Sequence, residues 1–294
     1  MSHPLHIVDV FAERRYAGNP LAVVLDVGDL PGEEMQRIAL EMNHSETTFV
    51  TSRKPVDGGY DVRIFTPARE IPFAGHPTLG TAWVIRRELA PAGTEAVRLN
   101  LGVGQVPVTF EADADGGEVA WLRSPPVRLE ATLPAERIAP ALGLSPGDID
   151  ERAPVQRVSA GIVLTIVPLR SLDALGRSRL VLDAFPPLAA NGFLPVVYLF
   201  CAEARGAGND LSARYFFVAH GAREDPATGS ATACLGCYLL EHDYLGRSDL
   251  SLRIEQGQEV GRPSLLRLRA RREAGRPVVS VGGRVIPAVR GELL

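Results

Sequence analysis

Three short stretches hold residues whose types and spacing suit proton chemistry. Glu46 lies in His44-Ser45-Glu46-Thr47-Thr48-Phe49-Val50, where an amphipathic stretch gives way to a β-branched one. An acidic side chain just before a buried strand is unfavourable unless it is exposed or used. In a low-dielectric cleft its pKa would rise, which suits a group that takes and returns a proton near neutral pH. On spacing alone, Glu46 also reads as an exposed turn glutamate. The other two stretches place His76 after Gly75 and Ser230 after Gly229, each leading into an apolar helical segment, with Asp225 shortly before the second. A helix start offers unpaired backbone N–H groups and partial positive charge, so it attracts anions such as carboxylates. The local alternatives are capping by Ser230 or Thr228, a capping-turn role for Asp225, and a His76 packed at a domain surface.

The elements that must position these residues follow from periodicity and turn chemistry. Leu5 to Val10 reads as a strand, Ala17-Gly18-Asn19-Pro20 as a turn, and Leu21 to Leu25 as a buried strand. Pro31 to Asn43 carries Met35, Ile38, Ala39 and Met42 at helical spacing. Strands are expected at 47–51 and 60–65, a deeply buried helix over 77–89, and antiparallel hairpins over 97–122. Ser124-Pro125-Pro126 is the linker candidate. Beyond it the pattern predicts a short helix at 134–142 and strands at 155–159, 162–168, 196–201 and 211–218. A second apolar helix is expected over 229–241, then strands near 250–256, 265–270 and 278–289. Many short strands with one buried helix per half imply an α+β fold rather than a doubly wound sheet.

The halves repeat. Residues 68–78 align without gaps to residues 222–232 at an offset of 154, with six of eleven positions identical, and both lead into an apolar helix. A weaker echo joins Ala17-Gly18 to Ala160-Gly161. Two copies of one unit are expected, residues 1–125 completed by a closing strand at 281–294, and residues 126–280. Related helix starts facing each other across an interdomain cleft would grip one acidic substrate from both sides.

Composition narrows the chemistry. At 294 residues, 46% apolar and 22% charged, the chain has the make-up of a soluble globular protein, and a net charge of −4 argues against nucleic acid as a partner. Lys54 is the single lysine and sits in a polar stretch before proline, a poor Schiff-base candidate, so pyridoxal phosphate is not expected. Cys201, Cys234 and Cys237 are too few and uneven for a disulfide framework. Cys234 and Cys237 form a C-x-x-C inside an apolar helix rather than at its start, which favours packing over redox or metal use. Arg267, Arg269 and Arg271 alternate with apolar residues, as on a solvated strand face. Gly102-Val103-Gly104 reads as a hairpin turn. No signal peptide is evident at Ser2-His3-Pro4-Leu5-His6, and the apolar stretch around 195–202 is too short to cross a bilayer, so a cytoplasmic location without membrane partners is the expectation.

Five segments together resemble the signature stretches of the phenazine-biosynthesis PhzF-like family, in that family's order. They are residues 17–24 (AGNPLAVV), 45–50 (SETTFV), 65–80 (FTP…PFAGHPTLG), 224–231 (EDPATGSA) and the late 256–264 segment, so the likeness covers nearly the whole chain. The resemblance implies the diaminopimelate-epimerase-like fold, two similar domains each with a curved, mostly antiparallel sheet around a central helix, and a homodimer. It implies a cofactor- and metal-free isomerisation, which in the family's phenazine enzyme acts on a dihydro-hydroxyanthranilate. It makes Glu46 the proton-shuttling acid/base, and Asn19, Gly75, His76, Asp225, Gly229 and Ser230 the substrate-binding set. Backbone N–H groups near Gly75 and Gly229 would hold the substrate carboxylate.

Related epimerases and proline racemases carry a cysteine at each helix start, whereas Gly75-His76 and Gly229-Ser230 stand there in this chain. One carboxylate moving a proton therefore fits better than two opposed thiols. Two other readings stay open: an amino- or hydroxy-acid racemase or epimerase on the same scaffold, and a non-catalytic metabolite-binding protein that keeps the cleft.

Overall fold

A computed structural model describes residues 2–113, 116–219 and 221–294. The chain divides into two compact units, one of Met1–Arg123 with Gly282–Leu294, the other Ser124–Val281.

In the first unit β1 (His3–Val10) pairs antiparallel with β2 (Asn19–Val24) on one side and with the closing strand Val285–Leu293 on the other. After α1 (Gly32–Met42), β3 (Glu46–Val50) lies parallel to β2 and antiparallel to β4 (Tyr60–Phe65). β4 pairs antiparallel with β5 (Glu70–Ile71) and parallel with β6 (Ala96–Leu101), which forms a hairpin with β7 (Gly104–Ala112), itself paired to β8 (Glu118–Arg123). The expected turn at Gly102-Val103-Gly104 closes the β6–β7 hairpin.

Between β5 and β6 runs α2 (Gly75–Glu88), in which every residue from His76 to Ile85 is buried. It packs on β1, β2, β3 and β6, because His76 to Ile85 are apolar or small on most faces and only its last turn, Arg86 to Glu88, suits water. α1 is amphipathic instead. Its Met35 and Ala39 join Val24, Phe49 and Phe65 in a separate cluster, with the Phe49 and Phe65 rings edge to face at 5.4 Å, while Leu40 faces out. These two helices set the faces of β3. Thr48 meets Thr81 of α2 through a 2.7 Å hydroxyl contact, and Phe49 meets α1. Strand alternation then puts Glu46 on the α2 side with Thr48.

The second unit repeats this order. β9 (Arg128–Leu133) pairs antiparallel with β10 (Val155–Ser159), and β10 with β11 (Val163–Leu169). β11 is parallel to β12 (Val197–Cys201), β12 antiparallel to β13 (Leu211–Val218), and β13 antiparallel to β14 (Ala222–Asp225). β13 also runs parallel to β15 (Asp249–Gln256), which pairs antiparallel with β16 (Ser264–Glu273). The sequence anti, parallel, anti, then one strand with both an anti and a parallel neighbour, is that of the first unit. Its central helix, α3 (Gly229–Glu241), is buried over Gly229 and from Ala231 to Leu240 and packs on β16. Short helices, among them Leu172–Arg177, cover the other face over a cluster that includes Leu142, Leu169, Leu199 and Phe216. The expected fold class is observed: α+β, with a mostly antiparallel sheet around one buried helix in each half.

The structure departs from the sequence reading at several elements, three of which have a clear physical reason. Residues 128–133 form β9 although Arg128, Ala131 and Thr132 are exposed, because pairing with β10 rather than an apolar pattern makes the strand. The charged stretch Ala222–Asp225 is likewise a strand by pairing with β13. The single strand expected over 278–289 is two, Arg276–Gly283 and Val285–Leu293. The break falls at Arg284, whose guanidinium pairs with Glu13 at 3.0 Å and Asp113 at 2.7 Å.

Candidate functional site

Each unit offers a constellation of its own. In the first, α2 starts at Gly75 after an extended Ala74 whose side chain caps nothing, and Pro77 brings no N–H to the first turn. The helix start at Gly75 and His76 thus has no side-chain cap among the described residues. Glu46, the first residue of β3, sits in register with Leu21 of β2, next to Asn19 and Pro20. Asn19 is fully buried. Gly18 sets up that corner: its φ of +65° is left-handed, and a Cβ there would lie 2.3 Å from the Val10 carbonyl oxygen.

His76 is the pivot. Its Nε2 lies 3.4 Å from Glu46 Oε2, with side chains only 7% and 16% exposed. Burial first, then the nearby His44, pull its pKa down to about 3, partly offset by a hydrogen bond to the Pro20 backbone. Proline offers only a carbonyl there, and Nε2 makes no hydrogen bond, so Nδ1–H is the donor to Pro20. His76 is thus a neutral imidazole at neutral pH, and its contact with Glu46 is not an ion pair.

In the second unit Asp225 ends β14 and Thr228 precedes α3 without capping it. The Thr228 hydroxyl instead donates to Asp225 Oδ2 at 2.6 Å. Gln256, fully buried, ties the turn from below: its Nε2 donates to the Asp225 carbonyl at 2.8 Å and to Thr228 Oγ1 at 3.1 Å, and its Oε1 accepts from Thr228 N at 3.2 Å. Gly257 lets the β15 end come this close, since a Cβ there would lie 2.5 Å from the Pro226 carbonyl oxygen. Gly229 is buried and Ser230 half-buried at the helix start, and the Ser230 hydroxyl has no hydrogen-bond partner among the described residues.

The structure brings Glu46, His76, Gly75 and Asn19 together in the first unit, and Asp225, Gly229 and Ser230 in the second. Residue spacing did not single out Pro20 as the acceptor that fixes the His76 tautomer, His44 as a charge on it, or Gln256 as the tie beneath Asp225. Gln256 stands in one of the segments that carry the family likeness, but only the β15 pairing reveals what it holds.

Cys201, Cys234 and Cys237 are free and buried, and burial raises their thiol pKa values to about 11, 12 and 11. They are thiols at neutral pH, not nucleophiles or bases. Lys54 is exposed on the loop between β3 and β4. Among the described residues no three His, Cys, Asp or Glu side chains gather as a metal ion would need, and no helix is long and apolar enough to cross a membrane.

The family profile described as "Phenazine biosynthesis-like protein" matches residues 8–291. The chain belongs to this family. A trans-2,3-dihydro-3-hydroxyanthranilate isomerase of Pseudomonas aeruginosa is 39% identical over 273 residues, 91% of this chain and 90% of that protein. The crystal structure of a PhzF-family phenazine biosynthesis protein of Bacillus anthracis matches with a TM-score of 0.89 at 26% identity, covering 100% of this chain and 99% of that one. A hydroxyproline epimerase from Agrobacterium vitis, solved with bound trans-4-hydroxy-L-proline, shares the fold at a TM-score of 0.65 and 12% identity over 99% of this chain and 91% of its own. The family's epimerase-like fold and its isomerase class are those of this chain.

Low pH is expected to loosen the first unit's constellation. The folded-state pKa of His76 lies near 3, below the usual 6.5, so between these values the unfolded chain binds more protons and stability rises with pH. His6 and His242, also held low chiefly by burial, act in the same direction. Glu255, buried and accepting from the Arg205 and Gly206 amides, Asn209 and Ser212, has a lowered pKa, so its contribution is lost only at more acid pH, below the usual carboxylate range. Thermal midpoints followed by circular dichroism from pH 7 to 4 should therefore fall as pH drops, and His76→Asn should flatten the part above about pH 4.5. An unchanged slope in that variant would remove His76 from the effect.

Proposed function

We propose that the chain is a cofactor-independent isomerase that shifts a proton, and with it a double bond, on a small carboxylate-bearing metabolite. Glu46 carries the proton. The observation that supports this most is the approach of Glu46 Oε2 to the Nε2 of a neutral, buried His76. With Nδ1–H committed to Pro20, Nε2 presents a lone pair, and a carboxylate oxygen presents another. The contact becomes attractive when a proton lies between them, on Glu46 and donated toward Nε2. A carboxyl group that alternates between holding that proton and giving it to carbon is a general acid/base at the right place.

Asn19, Gly75 and His76 are proposed to bind substrate with Glu46, the helix N–H groups serving a carboxylate. Asp225, Gly229 and Ser230 are proposed as substrate-binding residues too, Asp225 as a hydrogen-bond acceptor and Ser230 through its unengaged hydroxyl. The protonated state of the cysteines speaks against thiol-based two-base racemisation. The relatives' printed activity makes trans-2,3-dihydro-3-hydroxyanthranilate the first substrate to try. A homodimer in the cytoplasm is proposed on the family likeness.

The test is incubation with that compound in D2O, followed by NMR. One deuterium on one ring carbon with a displaced double bond is the expected result. Exchange at a stereocentre with no bond movement would point to a racemase, and no exchange would remove this substrate.

A further inference from the structure

The two units share a device that the gap-free sequence repeat does not contain. In the first, Arg63 of β4 reaches diagonally across the hairpin to Glu70 of β5, Nε and Nη2 donating to Oε1 and Oε2 at 2.7 Å each. Its guanidinium lies 5.1 Å from the centroid of the Phe65 ring, and Phe65 is the residue paired with Glu70. In the second, Arg214 of β13 reaches Glu224 of β14, Nε to Oε1 at 2.9 Å and Nη2 to Oε2 at 2.6 Å. Its guanidinium lies 4.6 Å from the centroid of the Phe216 ring, and Phe216 is the residue paired with Glu224. Arg-x-Phe on one strand and Glu opposite the Phe recur with the same bidentate geometry.

The glutamates occupy matching positions of the repeat, 70 and 224, while the arginines do not stand at the same offset. The second hairpin runs on for two more residue pairs, Phe217–Arg223 and Val218–Ala222, whereas Phe65–Glu70 is the last pair of the first, and this hides the match from a gap-free alignment. Both glutamates sit where the hairpin's return strand hands over to the turn before a helix start, Gly75 or Gly229.

We propose that this pair is one duplicated clamp, and that Arg214 is a positioning residue for Asp225. Glu224 and Asp225 are neighbours on β14, so their side chains point to opposite faces. Holding Glu224 bidentately fixes the strand's rotation, and with it the direction in which Asp225 meets Thr228. The second clamp is the rigid one. Arg214 and Glu224 are each 8% exposed, and Arg214 Nη1 also donates to the carbonyls of Leu175, Gly176 and Ser178 at the end of the Leu172–Arg177 helix, with Glu259 a further 3.9 Å neighbour. Arg63 and Glu70 are 37% and 44% exposed, so water competes for that pair.

This rests on Asp225 binding substrate, and the experiment keeps the two claims apart. Amide hydrogen exchange of the full chain, read by mass spectrometry over 222–232, needs no substrate. Arg214→Lys keeps the charge but loses the fork, and Glu224→Gln is a second variant should the first not fold. Exchange over 222–232 is expected to quicken at least about tenfold in both, with 235–241 of α3 within about threefold of the parent. Arg63→Lys should change 72–77 by less than about threefold. With trans-2,3-dihydro-3-hydroxyanthranilate, Arg214→Lys should raise KM about tenfold and leave kcat within about threefold, since Glu46 is untouched. Exchange over 222–232 within about twofold of the parent in both variants, or a rise spread evenly over the chain, would overturn the clamp. Localised exchange in a protein that leaves that substrate unchanged supports the clamp and overturns the substrate reading instead.

Discussion

Glu46→Gln is expected to all but abolish turnover, by about 10⁴-fold, while ligand affinity stays within about tenfold, or about 1.4 kcal/mol. Glutamine keeps the volume and the strand position at the start of β3, and its amide can still donate toward His76 Nε2. What it cannot do is hold a transferable proton. A general acid/base usually contributes about 10²–10⁴-fold, and the upper end is expected where one group both removes and returns the proton. The result discriminates between carriers, because His76 Nε2, 3.4 Å away, has no hydrogen-bond partner among the described residues and is the rival group for the proton. Were His76 the carrier, Glu46→Gln would slow the reaction modestly and His76→Asn would stop it. NMR-detected turnover in D2O with each variant, alongside calorimetric titration of 3-hydroxyanthranilate as a non-reacting probe, reads both quantities. Retained turnover in Glu46→Gln would take Glu46 out of the mechanism.

The second large effect is expected on stability. Gly257→Ala should lower the unfolding free energy by about 3 kcal/mol or more. The position has φ +81°, a left-handed conformation that L side chains rarely adopt, and an added Cβ would lie 2.4 Å from the Arg262 carbonyl oxygen, 2.5 Å from that of Pro226 and 3.1 Å from Pro226 Cα. All three are backbone atoms, so relief requires moving either the turn after β15 or the turn between β14 and α3. Moving the latter breaks the Gln256 bonds to Asp225 and Thr228. Chemical denaturation should show the lowered midpoint, and the surviving folded fraction should bind the 3-hydroxyanthranilate probe more weakly. Gly208→Ala is the control: its φ is +82° but nothing lies within 4 Å of the added Cβ. Equal losses in the two variants would mean that strain alone, and not the approach to Pro226, accounts for the effect.

Much of this architecture is legible in the residues before any coordinates. The second buried helix runs over the expected residues, 229–241, because its apolar surface and its glycine start leave few alternatives. The strands at 155–159 and 211–218 also stand where β-branched and aromatic residues place them. Elements that owe their existence to a partner were not legible. β9 and β14 are charged and partly exposed, and they are strands only because β10 and β13 supply their hydrogen bonds. The same holds at the site. Glu46, His76 and Asp225 could be named from type and context, but Pro20 acts through a carbonyl that any residue possesses, and Arg214 through a hairpin whose two extra residue pairs break the repeat. A side chain announces its chemistry in the sequence; the atom that aims it usually does not.

The closing strand has a consequence for how the chain comes into being. Residues His3–Val10 pair along their length with residues between Val285 and Leu293. During vectorial synthesis the first unit therefore waits with β1 open on one side until residues 285–293 have been made. The second unit, contiguous from Ser124 to Val281, has all its residues in hand just before that strand is made. The half begun first is thus the half completed last, and until residues 285–293 are made β1 keeps an unpaired strand edge of the kind on which other chains can pair.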